Sequence, residues 1–298
     1  QSSRNDHDAP DRINTTQEPF NSFTDDARHF SGRRARLLDA YVYGTFYFGD
    51  DMALNLRLGR HIAAWGQSLF FSGVALAQAP ADATRATVPG VDVKSILLPV
   101  EQVSAQLSLG HGVSLLGYYQ LRFKETELEP VGSYFSTTDI VGPGAQFLRL
   151  AAGDINLPRG PDDEPSDNGQ WGLGMRYQLT GATNIGLYWL RYHNASPQVR
   201  LDFVNNQYNV FYADGIQMTA LSFSSRLGPA NIAGEVSYRD KMDLLVDGPM
   251  GPTATRGGMS QVLISALYTM TPNPISRQID LVGEIGAVRV HSVDALED

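Results

Sequence analysis

Hydrophobic and polar residues alternate with a period of two along much of this chain. Between Gln102 and Leu109, Val, Ala and Leu occupy the odd-numbered positions, whereas Gln and Ser occupy the even-numbered ones. A period of two places successive side chains on opposite faces of an extended strand. The same pattern recurs in 38–48, 52–58 and 113–124, so we predict β-strands in all four segments.

Six further segments show weaker versions of the same alternation. We predict strands at about 171–180, 183–192, 218–227, 231–239, 260–270 and 277–290, which gives about ten strands in total. Runs of roughly ten residues have the length that a tilted strand needs to cross a bilayer. The mixed faces of the weaker strands would also suit the core of a soluble β-sandwich.

The connections between the predicted strands are alternately short and long. Turn-forming residues such as Gly, Pro, Asn and Asp fill the short connections, at 49–51, 110–112, 181–182, 228–230 and 272–274. Long connections lie at about 66–101, 125–170, 193–217 and 240–259. Outer-membrane barrels alternate in this way, with tight turns on the periplasmic side and long external loops. We therefore predict an antiparallel transmembrane β-barrel of the outer-membrane type.

The organisation of the chain follows from this assignment. We predict a polar loop or disordered segment at 1–35, the barrel at 36–290, and a tail or truncated loop at 291–298. If the short turns are periplasmic, both chain ends lie outside, whereas such barrels keep both termini in the periplasm. We therefore expect these strands to belong to a longer barrel with more strands.

Composition narrows the classes of function. Because the chain has no cysteine, it has no disulfides, thiolate nucleophiles or thiolate metal sites. Its net charge of −9 argues against a nucleic-acid partner, since neutralising phosphates requires clustered Lys and Arg. No apolar run approaches the ~20 residues of a membrane helix.

The polar faces of the predicted strands carry charged and tyrosine side chains, which a barrel directs into its lumen. An unpaired charge at mid-depth in lipid costs about 2–4 kcal/mol, whereas in a wet lumen it costs little. The charges either form a field along a pore or pair with one another to rigidify the lumen. The candidates for the lumen and the substrate path are Asp39, Tyr41, Tyr43, Tyr47, Arg57, Tyr118, Arg122, Arg176, Arg226, Glu235, Asp280 and Glu284.

Other aromatic residues fall on the apolar faces, many of them near strand ends. Membrane proteins concentrate aromatic side chains at the membrane–water interfaces, where they form a girdle. We predict this structural role for Phe46, Phe48, Tyr119, Phe123, Trp171, Tyr177, Trp189, Tyr238 and Tyr268.

The connection at 66–101 is too apolar for a free external loop. Long loops of this kind usually carry function or pack against another part of the protein. We predict that it folds into or over the lumen as a plug or inserted loop. The plug candidates are Trp65, Phe70, Phe71 and Leu97. The alternative is a loop that packs on neighbouring external loops.

Several segments resemble a proteobacterial outer-membrane family, the domain of unknown function number thirteen-oh-two. The most specific is Gly59-Arg60 followed by Gly66-Gln67-Ser68, where Gln67 stands in place of a more frequent Glu. The others include Leu37-Leu38-Asp39-Ala40-Tyr41-Val42, Leu97-Leu98-Pro99-Val100, Gly117-Tyr118-Tyr119-Gln120, Lys124-Glu125-Thr126-Glu127, Gly132-Ser133-Tyr134-Phe135-Ser136-Thr137 and Gly234-Glu235-Val236-Ser237-Tyr238-Arg239. The resemblance runs from about residue 35 to 290. It implies a barrel associated with hydrophobic or aromatic compounds and with lipid-transport-like systems, and no established chemistry.

Two groups of residues suggest other chemistry. Ser68, His61 and Asp39 have the residue types of a catalytic triad, but no Gly-x-Ser-x-Gly elbow accompanies them. In the polar run at 162–169, Asp162, Asp163 and Asp167 are hard ligands that suit calcium, without the spacing of an EF-hand loop. The simpler interpretation of that run is a solvated loop tip. We predict that the chain is not an enzyme and holds no cofactor.

The sequence thus predicts a passive channel of the bacterial outer membrane for uptake or export of a hydrophobic or aromatic small molecule. Its expected partners are outer-membrane lipid, lipopolysaccharide, that small molecule, and a periplasmic or inner-membrane transport protein. Two alternatives remain open at this point. One is an outer-membrane esterase or lipase-like enzyme, and the other is a soluble β-sandwich that acts as a binding or adhesin module.

Overall fold

A computed structural model describes residues 25–32, 35–86, 91, 96–136, 138, 140–149, 156–248, 251–272 and 276–294. Within these ranges the chain is almost entirely β structure. Helices are confined to α1 (Asp25–Gly32), α2 (Val74–Gln78) and α3 (Ala83–Ala86). None of these helices has the length and hydropathy to span a membrane. The predicted all-β class is confirmed, although α1 forms within the stretch that was predicted to be a loop.

One antiparallel sheet of ten strands dominates the structure. Its strands neighbour each other in chain order: β1 (Ala40–Phe48), β2 (Met52–His61), β3 (Val100–Ser108), β4 (Val113–Gln120), β7 (Trp171–Gln178), β8 (Thr183–Tyr192), β11 (Ile216–Leu227), β12 (Ala230–Gly248), β13 (Gly251–Met270) and β14 (Ile279–Val293). Each of the ten predicted strands overlaps one of them. The remaining strands form two small hairpins, β5 (Phe147–Arg149) with β6 (Asn156–Pro158) and β9 (Gln198–Asp202) with β10 (Gln207–Phe211).

The short connections after β1, β3, β7 and β11 leave one end of this sheet, and the long connections leave the other, because neighbouring strands are antiparallel. The long ones follow β2, β4 and β8. The loop predicted at 240–259 is wrong, since β12 and β13 continue through it as a two-stranded ribbon. A register shift between Arg239 and Met242, where Lys241 has φ 58°, separates the ribbon from the rest of the sheet. At the other boundary, β14 extends three residues into the predicted tail.

One face of the sheet is apolar and exposed. The strand register aligns a row of uncharged side chains across all ten strands. Leu221 and Val236 lie on central strands of this row and are each 50% exposed, so nothing in the described structure covers them. The row consists of Phe46, Leu54, Leu107, Leu115, Met175, Leu187, Leu221, Val236, Val262 and Ala287. We call this side the apolar face.

The opposite face, here called the polar face, carries most of the buried polar side chains. Water-soluble domains show the reverse, with polar side chains mostly outside. The buried polar residues of this face include Gln102, Gln120, Ser222, Glu235, Ser237, Arg239, Gln261 and Ser265. Tyr188, Leu190 and Met218 are fully buried among them, so the face mixes polar and apolar groups.

The two edges of the sheet are β1 and β14. Among the described residues, β1 pairs with β2 alone and β14 with β13 alone. Both faces of these edge strands are exposed over most of their length. The described residues therefore form an open sheet.

The two connections that follow β4 and β8 pack together in a loop lobe at one end of the sheet. Its core consists of Leu157, Tyr208, Val210 and Tyr212, with Phe123 packed against them. The ring of Phe123 lies 5.3 Å from that of Tyr212. The prediction of Phe123 as a girdle residue is therefore wrong, because β4 ends at Gln120 and the chain has already turned into the lobe.

Buried His193 ties the two connections of this lobe together. Its Nδ1 accepts a hydrogen bond from the Gly215 N–H (2.9 Å), and its Nε2 donates to the Asn168 carbonyl (3.1 Å). Its own N–H donates to Oε1 of Gln170 (3.2 Å). Burial lowers the pKa of His193, and the positive charges of Arg191 and Arg256 act in the same direction. The ring is therefore held in one neutral tautomer.

We expect the attachment of Gly215 to weaken in acid. A group whose pKa is lowered by folding contributes its full stabilisation above its unfolded pKa, about 6.5, and loses it as the pH falls through the lowered value. Protonated Nδ1 cannot accept a hydrogen bond, so the protection factor of the Gly215 amide, corrected for its intrinsic exchange rate, should fall as the pH drops through the lowered pKa of His193. A His193→Gln variant should lack this pH-dependent step. An unchanged pH profile in that variant would contradict the assignment.

Candidate functional site on the polar face

The segment that follows β2, residues 62–82, lies on the polar face and is here called the inserted segment. Trp65 makes the central contact: its ring stacks on Tyr188 at 5.7 Å and meets Tyr118 edge-on at 5.1 Å. Ala63, Val74 and Ala77 join the same buried cluster. Aromatic contacts of this geometry contribute about 0.5–1.5 kcal/mol beyond area burial, so Trp65 anchors the segment to the middle of the sheet.

Glu235 of β12 holds one end of a tight loop in the inserted segment. Its carboxylate accepts hydrogen bonds from the backbone N–H groups of Gln67, Ser68 (3.1 Å) and Val74 (3.1 Å). The side chain is 3% exposed. Burying an unpaired carboxylate costs several kcal/mol, and the three donors offset that cost.

Glu284 of β14 holds the tip of the same loop. Its two oxygens accept hydrogen bonds from the consecutive N–H groups of Leu69 (2.9 Å), Phe70 (2.7 Å) and Phe71 (2.8 Å). The two carboxylates together bind six backbone donors between Gln67 and Val74. The loop therefore needs no secondary structure of its own to satisfy these groups.

Two glycines allow this close approach. A Cβ at Gly66 would lie 2.3 Å from Oε1 of Glu235, and one at Gly73 would lie 2.3 Å from its Oε2. Gly66 also has φ +79°, which disfavours other residues. Any larger residue at either position would push the carboxylate away from its donors.

Amide and guanidinium side chains complete the attachment. Oε1 of Gln78 accepts a hydrogen bond from the backbone N–H of Trp65 (2.5 Å). The backbone carbonyl of Gln78 accepts one from Nε2 of Gln120 (2.5 Å). Nε2 of Gln102 donates to the His61 carbonyl (2.7 Å). On the other side, Arg239 donates to Oε1 of Gln261 (2.7 Å) and to the Ser72 carbonyl (3.2 Å).

Ten of the twelve predicted lumen residues lie on the polar side of the strands, as the alternation requires. Asp39 precedes β1 by one residue. The assignment of Arg122 to a strand is wrong, because β4 ends at Gln120. The structure engages Glu235 and Glu284 with the inserted segment and buries Tyr118 beneath Trp65. On β1 and β2 it brings Tyr41, Tyr43 and Arg57 together: the Tyr41 ring lies 6.3 Å from that of Tyr43 and 5.6 Å from the Arg57 guanidinium. No ion pair among the described residues joins two of the predicted lumen residues.

The plug candidates occupy different environments. Trp65 is buried against the sheet, whereas Phe70 and Phe71 are 47% and 46% exposed. Leu97 packs against Ala75 and Ala79, within the connection itself. The apolar residues of this connection thus pack partly against the sheet, as Trp65 does, and partly against one another, as Leu97 does.

The catalytic and calcium alternatives do not fit the geometry. Nε2 of His61 contacts Oγ of Ser104 (2.7 Å) and its Nδ1 contacts the Gly59 carbonyl (3.0 Å), which leaves no ring nitrogen for Ser68 or Asp39.

The three aspartates proposed for calcium are held separately. Asp162 pairs with Arg159, Asp163 with Arg200, and Asp167 accepts the Phe123 N–H. No cluster of three potential metal ligands occurs in the described residues. The three aspartates therefore do not converge on one site in the described residues.

The sequence indicated Glu235 and Glu284 as candidate site residues, but not the groups that they bind. We expected them to face cations across a lumen, whereas they bind backbone N–H groups, which every residue except proline carries. Gln78, Ser72 and Ser104 were also missed. The only signal for the loop was the pair of glycines, Gly66 and Gly73, within an apolar stretch.

We expect Glu235→Gln to loosen the inserted segment. An amide has one acceptor oxygen, and its NH₂ group faces N–H donors, so at least one buried donor loses its partner. The local cost should be about 2 kcal/mol, which corresponds to roughly 30-fold faster hydrogen exchange of the amides in 67–74. Glu284→Gln should act mainly on 69–71.

Asp280→Asn is the matched control for both variants. Asp280 lies on the same side of β14 as Glu284, and its carboxylate accepts from Nε2 of Gln278. Exchange in 67–74 should stay unchanged in this variant. Equal effects of all three substitutions would show that the carboxylates do not anchor the segment.

Comparison with known proteins gives one match. The model of the family described as "Protein of unknown function (DUF1302)" matches residues 1–298, the whole chain. No curated protein and no solved structure matches the chain. The segments quoted from the sequence fall within this match, and the expected family is confirmed. The chain belongs to the DUF1302 family of proteins of unknown function.

Proposed function

We propose that this protein is a channel of the bacterial outer membrane in which the ten-stranded sheet forms barrel wall. The channel passes a hydrophobic or aromatic small molecule by passive transport. The inserted segment acts as a plug on the inner side of that wall. One observation carries the proposal: the exposed face of the sheet is apolar across every strand, whereas the opposite face holds the buried carboxylate, amide and guanidinium groups.

The apolar face argues for contact with lipid. Soluble monomers rarely expose continuous apolar patches beyond a few hundred Å², and in a soluble sandwich a second sheet would cover this face. In the described residues both additional sheets are two-stranded hairpins. A bilayer provides the missing cover, since lipid tails are as apolar as these side chains.

The height of the apolar face also suits a bilayer. On β12 its side chains run from Ala230 to Tyr238, about 27 Å along the strand, which is about 19–22 Å of height at the usual tilt of barrel strands. Asp240 follows on the same side. The apolar band of outer-membrane barrels is about 25 Å tall. Tyr119, Trp189 and Tyr238 lie toward one end of this band and Tyr177 and Tyr268 toward the other, as in an aromatic girdle.

In lipid every backbone polar group needs a partner, so the two edge strands must acquire one each. In a closed barrel β1 and β14 would each have a second neighbouring strand. Closure would also place the polar face, the inserted segment and the long connections in the arrangement of a plugged outer-membrane protein.

A channel explains the polar face better than an enzyme does. The candidate triad of Ser68, His61 and Asp39 is not assembled, because the two ring nitrogens of His61 contact Ser104 and the Gly59 carbonyl. By contrast, Tyr41, Tyr43 and Tyr47 form an exposed aromatic row on β1, beside the region that the inserted segment covers. Such rings suit weak contacts with a permeant that must also leave.

We expect a charge on the apolar face to impair folding into a bilayer. Leu107→Lys replaces a member of the apolar row and should cost about 2–4 kcal/mol in membrane stability. Its neighbour Gln106 lies on the polar side and is exposed, so Gln106→Lys should change stability by less than about 0.5 kcal/mol. The measurement is the folded fraction in lipid vesicles, from the heat-dependent gel shift. Equal effects of the two substitutions would contradict a lipid-facing sheet.

Transport should rise when the plug is loosened. We expect the double variant Glu235→Gln, Glu284→Gln to increase uptake of radiolabelled 2-naphthamide by cells that carry the protein in their outer membrane. Asp280→Asn, expressed at the same level, is the control and should match the unaltered protein. Equal uptake in cells with and without the protein would remove the channel proposal.

A further inference from the structure

This inference rests on the proposed function and concerns the chemical class of the permeant. Three arginines of the polar face, Arg57, Arg176 and Arg226, take part in none of the ion pairs between described residues. Arg57 and Arg226 are exposed, and Arg176 is half-buried. Arginine is always charged and pairs well with carboxylates, so three such groups without carboxylate partners are available to an anion.

The carboxylates of the same face are already engaged or distant. Glu235 and Glu284 each accept three backbone N–H groups, and Asp280 accepts from Gln278. Asp39 precedes β1 by one residue and lies four positions from Tyr43, the register partner of Arg57, about 13 Å along the strand. The negative charges of this face therefore do not neutralise the three guanidinium groups locally.

The register spaces these arginines evenly along the strand direction. Arg57 is aligned across the neighbouring strands with Ser104, Tyr118 and Gly172, each the register partner of the one before it. Arg176 lies four positions beyond Gly172 along β7. Arg176 is aligned in the same way with Gly186 and Ser222. Arg226 lies four positions beyond Ser222 along β11. Each step is about 13 Å. The three groups thus descend from the middle of the sheet to its short-turn end.

Aromatic rings accompany the first arginine. Tyr43 is the register partner of Arg57, and the guanidinium lies over the Tyr41 ring. Tyr43 and Tyr47 are 77% and 78% exposed, so this strip is left bare by the inserted segment. A guanidinium beside exposed aromatic faces offers a charge-assisted hydrogen bond for an acid and stacking for a ring.

We infer that the permeant is an amphipathic anion: an aromatic or apolar body bearing one carboxylate. Arg57 binds the carboxylate while Tyr41 and Tyr43 contact the body. Arg176 and Arg226 offer successive sites for the same carboxylate toward the short-turn end. Because the arginines are about 13 Å apart along the strands, the carboxylate contacts one guanidinium at a time. A single contact is weak enough to release the anion, as conduction requires.

Equilibrium dialysis of purified protein in mild detergent tests this inference, with protein-free micelles subtracted. The probes are 2-naphthoate and 2-naphthamide, which share a ring system and differ in charge. We expect 2-naphthoate to bind about tenfold more tightly than 2-naphthamide, as for one charge-assisted contact. Arg57→Gln should reduce that preference, and the triple variant Arg57→Gln, Arg176→Gln, Arg226→Gln should abolish it, while 2-naphthamide binding stays unchanged in both. Arg57→Lys should retain most of the preference.

Arg85→Gln is the control for general electrostatics, because Arg85 is an exposed residue of α3. This variant should keep the full preference for 2-naphthoate. Equal affinity for the two probes, or the same loss in Arg85→Gln as in Arg57→Gln, would overturn the inference. Those results would leave the channel itself untouched, since its own test is the comparison of Leu107→Lys with Gln106→Lys in vesicles.

Discussion

A strand sends successive side chains to opposite faces, and in this protein one register maintains that separation across ten strands. A slip of one residue at any pairing would move a charged or amide side chain onto the apolar face. For example, Leu221 pairs with Leu187 and Val236, whereas the next residue, Ser222, pairs with Gly186 and Glu235. The strong contrast between the two faces therefore fixes the register, and the register positions the site.

The polar face in turn determines how the inserted segment is held. A loop that packs on a sheet has backbone N–H groups that need acceptors. The backbone of the sheet cannot supply them, because its own groups already bond to neighbouring strands. Glu235 and Glu284 provide acceptors at the required points. The donors of the segment also offset the cost of burying the Glu235 carboxylate. Trp65 adds apolar contact with Tyr188. Because much of the attachment is polar, it can be released locally without unfolding the sheet.

The strands and their two faces could be predicted because a period of two is a local property of the sequence. Gln102 to Ser108 reads as one strand without knowledge of its neighbours. The partners of Glu235 could not be predicted, since they are backbone groups about 160 residues away in the chain and have no residue-type signature. Phe123 was misplaced because the aromatic pattern continues past the end of β4. The ribbon of β12 and β13 was missed because its sequence, with Asp240, Lys241 and Gly248, resembles a loop.

The central claim is that the apolar face contacts lipid, and the three tryptophans of the chain allow a direct test. Trp189 is 50% exposed on the apolar face, whereas Trp65 is 7% exposed on the opposite side. Two single-tryptophan variants, one retaining Trp189 and one retaining Trp65, would be folded into vesicles of lipids with brominated acyl chains. The account predicts strong quenching of Trp189 fluorescence and little quenching of Trp65. Equal quenching of both, or an unquenched Trp189 in vesicle-bound protein, would contradict it.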